Sequence, residues 1–411
     1  MHGTLAGCDV VTCSPSPPRP LSPPAPPLRR TPRRRAATAG ARPPPTAETA
    51  APPRPTATRP TARSRRRPPR RAPPSRLLEG LSPREIAGQL VLVGIAAGSE
   101  IPTATFEEHH AGGIFLLQVW ESAEQVDAVV DSALSLARPE SPPLLAVDQE
   151  GGQVRMLAGR RGTGDGLGRD PRRRGSAGGG RRVHEHRRGP LRAGAHVALS
   201  PVADVVDPEL GDANEPVGGL DRGFGTDPEQ VADCVTTAVE ALSEQGIGAT
   251  LKHFPGLGRV EQNTDFSAEG IEDTTTGPED PFLESFRAGI DAGARLVMMS
   301  SAIYPRIEPD VPAMFSAAAI QDLLRDGLGF EGLVVTDDIG AAQAVADVPV
   351  AERATRSLEA GGDAVLTADP SLTGELVDAI EEWAGRGEEQ EQRVRESAGR
   401  MLALKEALGS L

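Results

Sequence analysis

The stretch LKHFPGLGRV, residues 251–260, places a cation and an imidazole at the end of an apolar run, followed by a loop rich in glycine and proline. A second apolar run, Val334-Val335-Thr336-Asp337-Asp338, ends in carboxylates. Parallel strands of a barrel bring such ends together at one rim, which is where barrel enzymes assemble their sites. The chain has only two lysines, Lys252 and Lys405, against 42 arginines, so a lysine at this point of the pattern is informative.

Working outward, short apolar runs rich in β-branched residues alternate with segments of helical period from about residue 80 onward. Near-continuous apolar runs are typical of parallel strands buried on both faces. The predicted strands are 88–94, 113–118, 144–148, 197–204, 247–253, 294–300, 332–337 and 363–367. Helices are predicted between most of them, for example over 226–244, 280–292 and 316–326, with Asp227-Pro228 and Ser316 as helix starts.

Eight strands with intervening helices over about 330 residues predict a (β/α)8 barrel of the TIM type. A doubly wound open sheet is the structural alternative.

Composition divides the chain into two parts. Residues 1–76 contain 16 arginines and two acidic residues, and residues 14–76 contain 20 of the 39 prolines. Proline fixes φ and has no N–H to donate, so we expect a disordered tail over 1–76 and the barrel domain over 77–411. The whole chain has a net charge of −14 although the tail is basic, and this acidic balance argues against nucleic-acid binding.

Residues 158–195 depart from the barrel pattern, because arginine and glycine dominate and no apolar period is present. A βα loop and a helix are expected there. One hypothesis is a local frameshift in a GC-rich gene, which translation of the other two reading frames would test, and the alternative is a disordered insertion.

Three cysteines are too few for a disulfide framework, and Cys234 in a predicted helix is interpreted as a core residue. No apolar run reaches the roughly 18 residues that a membrane span needs. Leu5-Ala6-Gly7-Cys8 resembles a bacterial lipobox, yet no apolar signal region precedes it. Two localisations therefore stay open: an exported or cell-surface protein with a lipid anchor at Cys8, and a cytoplasmic protein. The oligomeric state is not predicted.

Polar residues end five of the predicted strands, whereas the strands themselves are apolar. One such residue is usually a cap or a turn former, but five in the same topological place favour a functional site. They are Asp148, Asp204, Lys252-His253, Ser300-Ser301 and Asp337-Asp338.

Three motifs in the same order, VDQEGGQV at 147–154, LKHFPGLGRV at 251–260 and VVTDDIG at 334–340, resemble the catalytic barrel of glycoside hydrolase family 3. The β-N-acetylhexosaminidase branch is the most similar, and the resemblance covers roughly residues 80–409. It implies a retaining glycosidase that forms a glycosyl-enzyme ester on a carboxylate.

The resemblance implies a role for several residues. Asp337 matches the nucleophile, and its neighbour Asp338 is expected to cap a turn. Asp148 matches a residue that accepts hydrogen bonds from sugar hydroxyls, whereas Glu150 is expected to support it through an ion pair. Gln153 stands where the family usually has arginine.

Lys252 and His253 match the sugar-binding pair of the family, with the histidine held by a hydrogen-bond acceptor, and Arg222 matches an arginine that contacts the substrate. Leu257 and Ser301 stand where the family often has histidine. These two changes put ordinary subsite contacts in doubt.

The general acid departs most from the family. In the resembling branch a loop after the Lys-His pair supplies an Asp-Ser-His triplet, whose histidine protonates the leaving group. The equivalent residues here are Asn263-Thr264-Asp265. Asp265 would serve as acid/base if burial or a neighbouring carboxylate raised its pKa; alternatively it caps the loop and the acid comes from elsewhere or does not exist.

The resemblance implies an exo-acting hydrolase that removes β-linked N-acetylglucosamine from cell-wall or chitin-derived fragments. Some family members carry a second α/β domain that supplies the acid, and we expect no room for it after the barrel. Two alternatives stay open, a glycoside phosphorylase of the same fold and an inactive sugar-binding surface protein. The sequence has no Cys/His cluster or phosphate-binding loop, so no metal or organic cofactor is predicted.

Overall fold

A computed structural model of the chain describes residues 77–151, 153–158 and 194–411. Eight parallel strands close into a barrel in which each strand pairs with its neighbours in chain order. The strands are β1 Val91–Ala96, β2 Gly113–Leu117, β3 Leu144–Val147, β4 Val197–Ala198, β5 Gly248–Phe254, β6 Leu296–Met299, β7 Leu333–Asp338 and β8 Ala364–Thr367. The predicted (β/α)8 fold is confirmed, and the open-sheet alternative is wrong.

Helices surround the barrel. They are α1 Pro83–Gly88, α2 Ala104–Glu107, α3 Ala123–Leu136, α4 Pro228–Ser243, α5 Glu284–Asp291, α6 Ala318–Gly327, α7 Val350–Ala360, α8 Thr373–Ala384 and α9 Glu388–Ala407. No helix among the described residues is both long and apolar enough to cross a bilayer. The predicted Pro/Arg-rich tail and residues 159–193, which hold most of the atypical segment, lie outside the described residues.

Local sequence explains where the helices begin. Ser82 and Ser122 each accept a hydrogen bond from the backbone N–H three residues on. The side chains of Glu85 and Gln125 accept one in turn from the backbone N–H of the cap residue, which forms two capping boxes. Asp227 caps α4, and Pro228 at the first helical position needs no N–H partner. Ser316, which the sequence predicted as a helix start, lies two residues before α6, and its hydroxyl accepts a hydrogen bond from the Ala319 N–H.

The predicted strand at 197–204 pairs fully only at Val197–Ala198. Pro201 lacks an N–H, which interrupts the regular ladder. Pairing with β5 nevertheless continues, since the Thr250 N–H donates to the Ser200 carbonyl and the Ala203 N–H to the Lys252 carbonyl. The chain therefore stays extended up to Asp204 and delivers that carboxylate to the barrel rim.

Two apolar clusters build the core. The larger lies between the barrel and the helices and includes Cys234, in agreement with its interpretation as a core residue. The smaller consists of inward-facing strand residues together with Met401, Leu404 and Leu408 at the carboxyl end of α9. Leu408 lies beside Gly248, the first residue of β5, so this end of α9 contributes to the core at the amino-terminal end of that strand, away from the rim where the strands end.

Asp363 ties α9 to the barrel just before β8. Its buried carboxylate accepts hydrogen bonds from Arg325, Arg393 and Arg400 and from the Val334 N–H. Burial alone would raise the pKa of Asp363, but the three guanidinium groups outweigh it and lower that pKa.

Candidate active site

Strand-end residues of β3, β4, β5 and β7 meet at the rim of the barrel, as the sequence predicted. Lys252 lies near the end of β5 with only 2% of its side chain exposed. Its Nζ lies 2.5 Å from Asp148 Oδ1 and 2.6 Å from Glu150 Oε1. A single buried ammonium group thus joins the two carboxylates of the VDQEGGQV motif.

Arg222 completes this network from the loop after β4. Its Nε and Nη2 each donate to Glu150 at 2.9 Å, which is the bidentate geometry that a guanidinium fork favours. Burial alone would raise the pKa of Glu150, but the charges of Arg222 and Lys252 outweigh it and hold that pKa well below its usual range. Burial likewise works to lower the pKa of Lys252, yet Asp148 and Glu150 raise it, so both groups stay ionised.

His253 is oriented by Asp204, which is fully buried. Asp204 Oδ2 lies 2.8 Å from His253 Nδ1, and Oδ1 accepts the backbone N–H groups of His253 and Leu257. Arg222 Nη2 lies 3.1 Å from His253 Nε2. Since a guanidinium only donates, Nε2 must accept, which assigns the imidazole proton to Nδ1.

Asp337 and Asp338 end β7 and have different partners. Asp338 accepts the backbone N–H groups of Gly340, Ala341 and Ala368, so the expectation that it caps a turn is confirmed. Asp337 is half-buried and accepts one hydrogen bond, from the Asp338 N–H at 2.9 Å. A carboxylate has about four lone-pair directions, so Asp337 retains capacity for a ligand.

Asp265 lies on the loop after β5. Its own N–H donates to Asn263 Oδ1, and its carbonyl accepts from the Gln343 N–H at 3.2 Å. The Ala344 N–H donates in the same way to the Thr264 carbonyl at 3.1 Å. These two bonds fix the Asp265 loop against the β7–α7 loop, which begins directly after Asp338.

Burial and the charge of Asp337 raise the pKa of Asp265 to about 6, against a smaller lowering effect of Arg222. The residue as a whole is nevertheless exposed to solvent. The two observations agree if the carboxyl group faces the crowded rim while the rest of the residue faces water. Asp265 therefore belongs electrostatically to the same group as Asp337 and Arg222.

The structure brings all six predicted site residues to one rim: Asp148, Arg222, Lys252, His253, Asp265 and Asp337. It adds Asp204 as the acceptor that holds His253, and its place at a strand end was the signal in the sequence. It also shows that Glu150 is the central carboxylate of the network, whereas its motif predicted only an ion pair. Leu257 and Ser301, which replace expected histidines, are buried.

Among the described residues no group of three or more His, Cys, Asp or Glu side chains could hold a metal ion. The buried carboxylates Asp204 and Glu150 are already paired with His253, Lys252 and Arg222. The arrangement instead suits hydrogen bonding to a polyhydroxylated ligand beside two carboxylates that differ in environment.

Comparison with known proteins gives one consistent family. The family model described as "Glycosyl hydrolase family 3 N terminal domain" matches residues 84–404. A β-hexosaminidase of Xanthomonas campestris pv. campestris is 36% identical over 311 residues, which cover 72% of this chain and 88% of that protein. A β-hexosaminidase of Stenotrophomonas maltophilia is 34% identical over 308 residues, covering 71% and 87%. The crystal structure of a β-N-acetylhexosaminidase from Beutenbergia cavernae superposes with a TM-score of 0.70 at 36% identity, covering 79% of this chain and 99% of that one.

Proposed function

The chain belongs to glycoside hydrolase family 3, and on that premise we propose that Asp337 and Asp265 carry out retaining hydrolysis of a β-linked N-acetylglucosamine. The observation that carries this proposal is that the Asp265 loop is hydrogen-bonded to the loop that follows Asp337 and Asp338, where the charge of Asp337 helps to raise the pKa of Asp265. The substrate is proposed because the relatives at 34–36% identity are β-hexosaminidases. Cell-wall or chitin-derived fragments contain this sugar and are the proposed source.

In the first step Asp337 attacks the anomeric carbon, and the bond from that carbon to the leaving oxygen breaks. Asp265 gives its proton to the leaving oxygen, so the aglycone departs as an alcohol. In the second step water attacks the glycosyl ester, Asp265 takes a proton from that water, and Asp337 is released as a carboxylate.

The environment of Asp265 suits both steps. With a pKa of about 6 the acid form is about half populated at pH 6 and about a tenth at pH 7. The charge of Asp337 contributes to that raised pKa. When Asp337 becomes a neutral ester this contribution disappears, so the pKa of Asp265 falls and the group becomes a better base for the second step.

Sugar recognition is assigned to the Asp148–Lys252 pair together with His253 and Arg222. Asp148 is the most accessible carboxylate of the network, with 17% of its side chain exposed, against 2% for Glu150. Lys252 has three N–H donors and uses two of them for Asp148 and Glu150. We therefore assign a pair of sugar hydroxyls to Asp148 Oδ2 and to the third Lys252 N–H.

The nucleophile is tested with the Asp337→Asn variant. Turnover of an aryl N-acetylglucosaminide should fall at least about 10³-fold while melting temperature and sugar affinity change little, because only the attacking oxygen is replaced. A 2-fluoro sugar should label the wild-type chain at Asp337, as located by mass spectrometry of its peptides. A label on another carboxylate refutes the assignment.

The acid is tested with Asp265→Ala. A dinitrophenolate leaves without protonation, so the loss of kcat/KM should be much larger for a natural glycoside than for the dinitrophenyl glycoside, and azide should rescue the second step. In the wild-type chain kcat/KM for the natural glycoside should fall as pH rises through about 6, because the acid form of Asp265 is lost. Equal losses on both substrates would mean that Asp265 only shapes the loop.

The same assays separate the alternatives of a phosphorylase and an inactive sugar-binding protein. Phosphate would accelerate a phosphorylase and yield a sugar phosphate, whereas a hydrolase is indifferent to phosphate. An inactive protein would give neither product.

We further propose that residues 77–411 form the catalytic domain. Cys8 lies outside the described residues, and mass spectrometry of the protein would show whether this cysteine is lipidated.

A further inference from the structure

Phe266 is the exposed aromatic residue of this chain. All nine phenylalanines, both tryptophans and the single tyrosine lie in the described residues, and eleven of these twelve are buried or half-buried. Phe266 is 81% exposed. Leaving a large apolar side chain in water forgoes the stabilisation that its burial would bring, so packing within the fold does not explain this ring.

The position of Phe266 is fixed by the loop that carries it. The Phe266 N–H donates to the carbonyl of Asn263 at 3.0 Å, and Asn263 is itself buried. The preceding two residues are bound to the β7–α7 loop through Gln343 and Ala344. The ring is therefore presented at the barrel rim from an anchored turn, directly after Asp265.

An acid that protonates a departing oxygen lies on the leaving-group side of the bond that breaks, so its neighbour on the loop flanks the leaving group. The face of an aromatic ring is the negative end of its quadrupole and attracts the weakly positive C–H face of a sugar. The segment 259–280 around the loop contains seven carboxyl groups and one arginine, a net charge of −5 while Asp265 holds its proton and −6 after it has lost it. This surrounding charge favours an uncharged leaving group over an anionic one.

We propose that Phe266 is the platform of the leaving-group subsite and stacks on a neutral sugar, so that the enzyme prefers N-acetylglucosamine linked to an uncharged sugar over the same unit linked to an acid-bearing sugar. The inference rests on the proposed function and specifies its substrate. Phe266 acts here as a specificity-determining residue and takes no part in proton transfer.

The test uses Phe266→Ala and Phe266→Tyr, with Leu134→Ala as the control because Leu134 on α3 is also an exposed apolar residue, at 49%. The substrates are diacetylchitobiose, whose leaving group is a sugar, and methyl N-acetylglucosaminide, whose leaving group needs the same protonation but has no ring. Phe266→Ala should lower kcat/KM for the disaccharide by roughly 5- to 10-fold and leave the methyl glycoside unchanged, as expected for loss of one stacking contact. Phe266→Tyr should retain the wild-type value, and Leu134→Ala should change neither.

Equal losses on both substrates would overturn the proposal, since they would mean that the substitution disturbs Asp265 and not a stacking contact. A third substrate, N-acetylglucosaminyl-N-acetylmuramic acid, should be cleaved more slowly than diacetylchitobiose, and added salt should narrow the difference. Faster cleavage of this anionic substrate would refute the preference for a neutral leaving group.

A binding measurement distinguishes failure of this inference from failure of the proposed function. Calorimetry of diacetylchitobiose with Asp337→Asn and with the double variant Asp337→Asn/Phe266→Ala measures the subsite without turnover. A 5- to 10-fold weaker affinity of the double variant supports the subsite even if the wild-type chain proves unable to hydrolyse glycosides. Equal affinities, or no binding in either variant, overturn it.

Discussion

Replacing Lys405 with methionine should remove a pH dependence from the stability of the barrel. Lys405 lies on α9 and is fully buried, and its Nζ donates to Gln89 Oε1 at 2.7 Å. Among the described residues no carboxylate lies within ion-pair distance of it. Burial lowers its pKa from 10.5 to about 7.

The sign follows from proton binding. Between pH 7 and 10.5 the unfolded chain holds a proton on this lysine that the native chain does not, so the free energy of unfolding rises with pH in that window. The slope approaches about 1.4 kcal/mol per pH unit, and the full shift corresponds to about 5 kcal/mol. Below pH 7 both states are protonated, and the native state must hold a charge in the core.

Methionine keeps most of the hydrocarbon chain of lysine and removes the charge. Gln89 Oε1 retains a donor in the variant, since Ser141 also donates to it at 2.9 Å. The variant should therefore be more stable than the wild-type chain at pH 6 by a few kcal/mol, with the difference narrowing towards pH 9. His196 nearby should also become easier to protonate, because its pKa is lowered first by burial and then by Lys405.

The measurement is denaturant unfolding of both chains at half-unit steps from pH 6 to 9.5. The difference between the two curves isolates Lys405 together with its effect on His196, because all other titrating groups are shared. Parallel curves would refute the reasoning. Parallel curves would mean either that water reaches the ammonium group of Lys405 or that this group stays charged in the native state over the whole pH range. A Lys405→Arg variant cannot lose its charge, and the size of its loss of stability would distinguish these two cases.

Two further predictions concern the site and the domain. Asp204→Asn should lower kcat/KM at least about 10-fold with a small change in melting temperature, because His253 loses the carboxylate that fixes its tautomer. A steady-state assay beside a thermal melt checks this prediction, and unchanged kinetics would exclude a positioning role for Asp204. Deletion of residues 1–76 should leave a soluble domain with the wild-type melting temperature and activity, since the barrel pattern begins near residue 80; loss of a cooperative melt would contradict this.

The sequence was sufficient for the barrel and for the strand-end residues at its rim, for a physical reason, whereas the loop residues Arg222 and Asp265 were identified only through the family resemblance. Strand ends of a parallel barrel converge, so a polar residue that ends an apolar run is located in space by topology alone. This is why the sequence alone predicts that Asp148, Lys252 and Asp337, which are far apart in the chain, lie close together at the rim. Helix starts were predictable because caps such as Asp227 act within three residues.

What could not be predicted depends on contacts between distant backbone atoms. The bonds from Gln343 and Ala344 to the Asp265 loop involve N–H and carbonyl groups that every residue carries, so no side-chain pattern reveals them. The double role of Glu150 was also missed, because a glutamate beside an aspartate in one motif does not indicate which of the two meets both cations. The sequence indicates the raised pKa of Asp265 only as a condition, since burial is a property of the folded loop.

The burial of both lysines has a practical consequence for labelling the molecule. Lys252 is 2% exposed and Lys405 is fully buried, and the sequence contains no third lysine. Amine-reactive dyes, crosslinkers and activated resins attack accessible, uncharged amines, so in the native state neither lysine side chain should be their target. A lysine added at a chosen surface position would therefore be the one reactive lysine side chain and would serve as a unique handle.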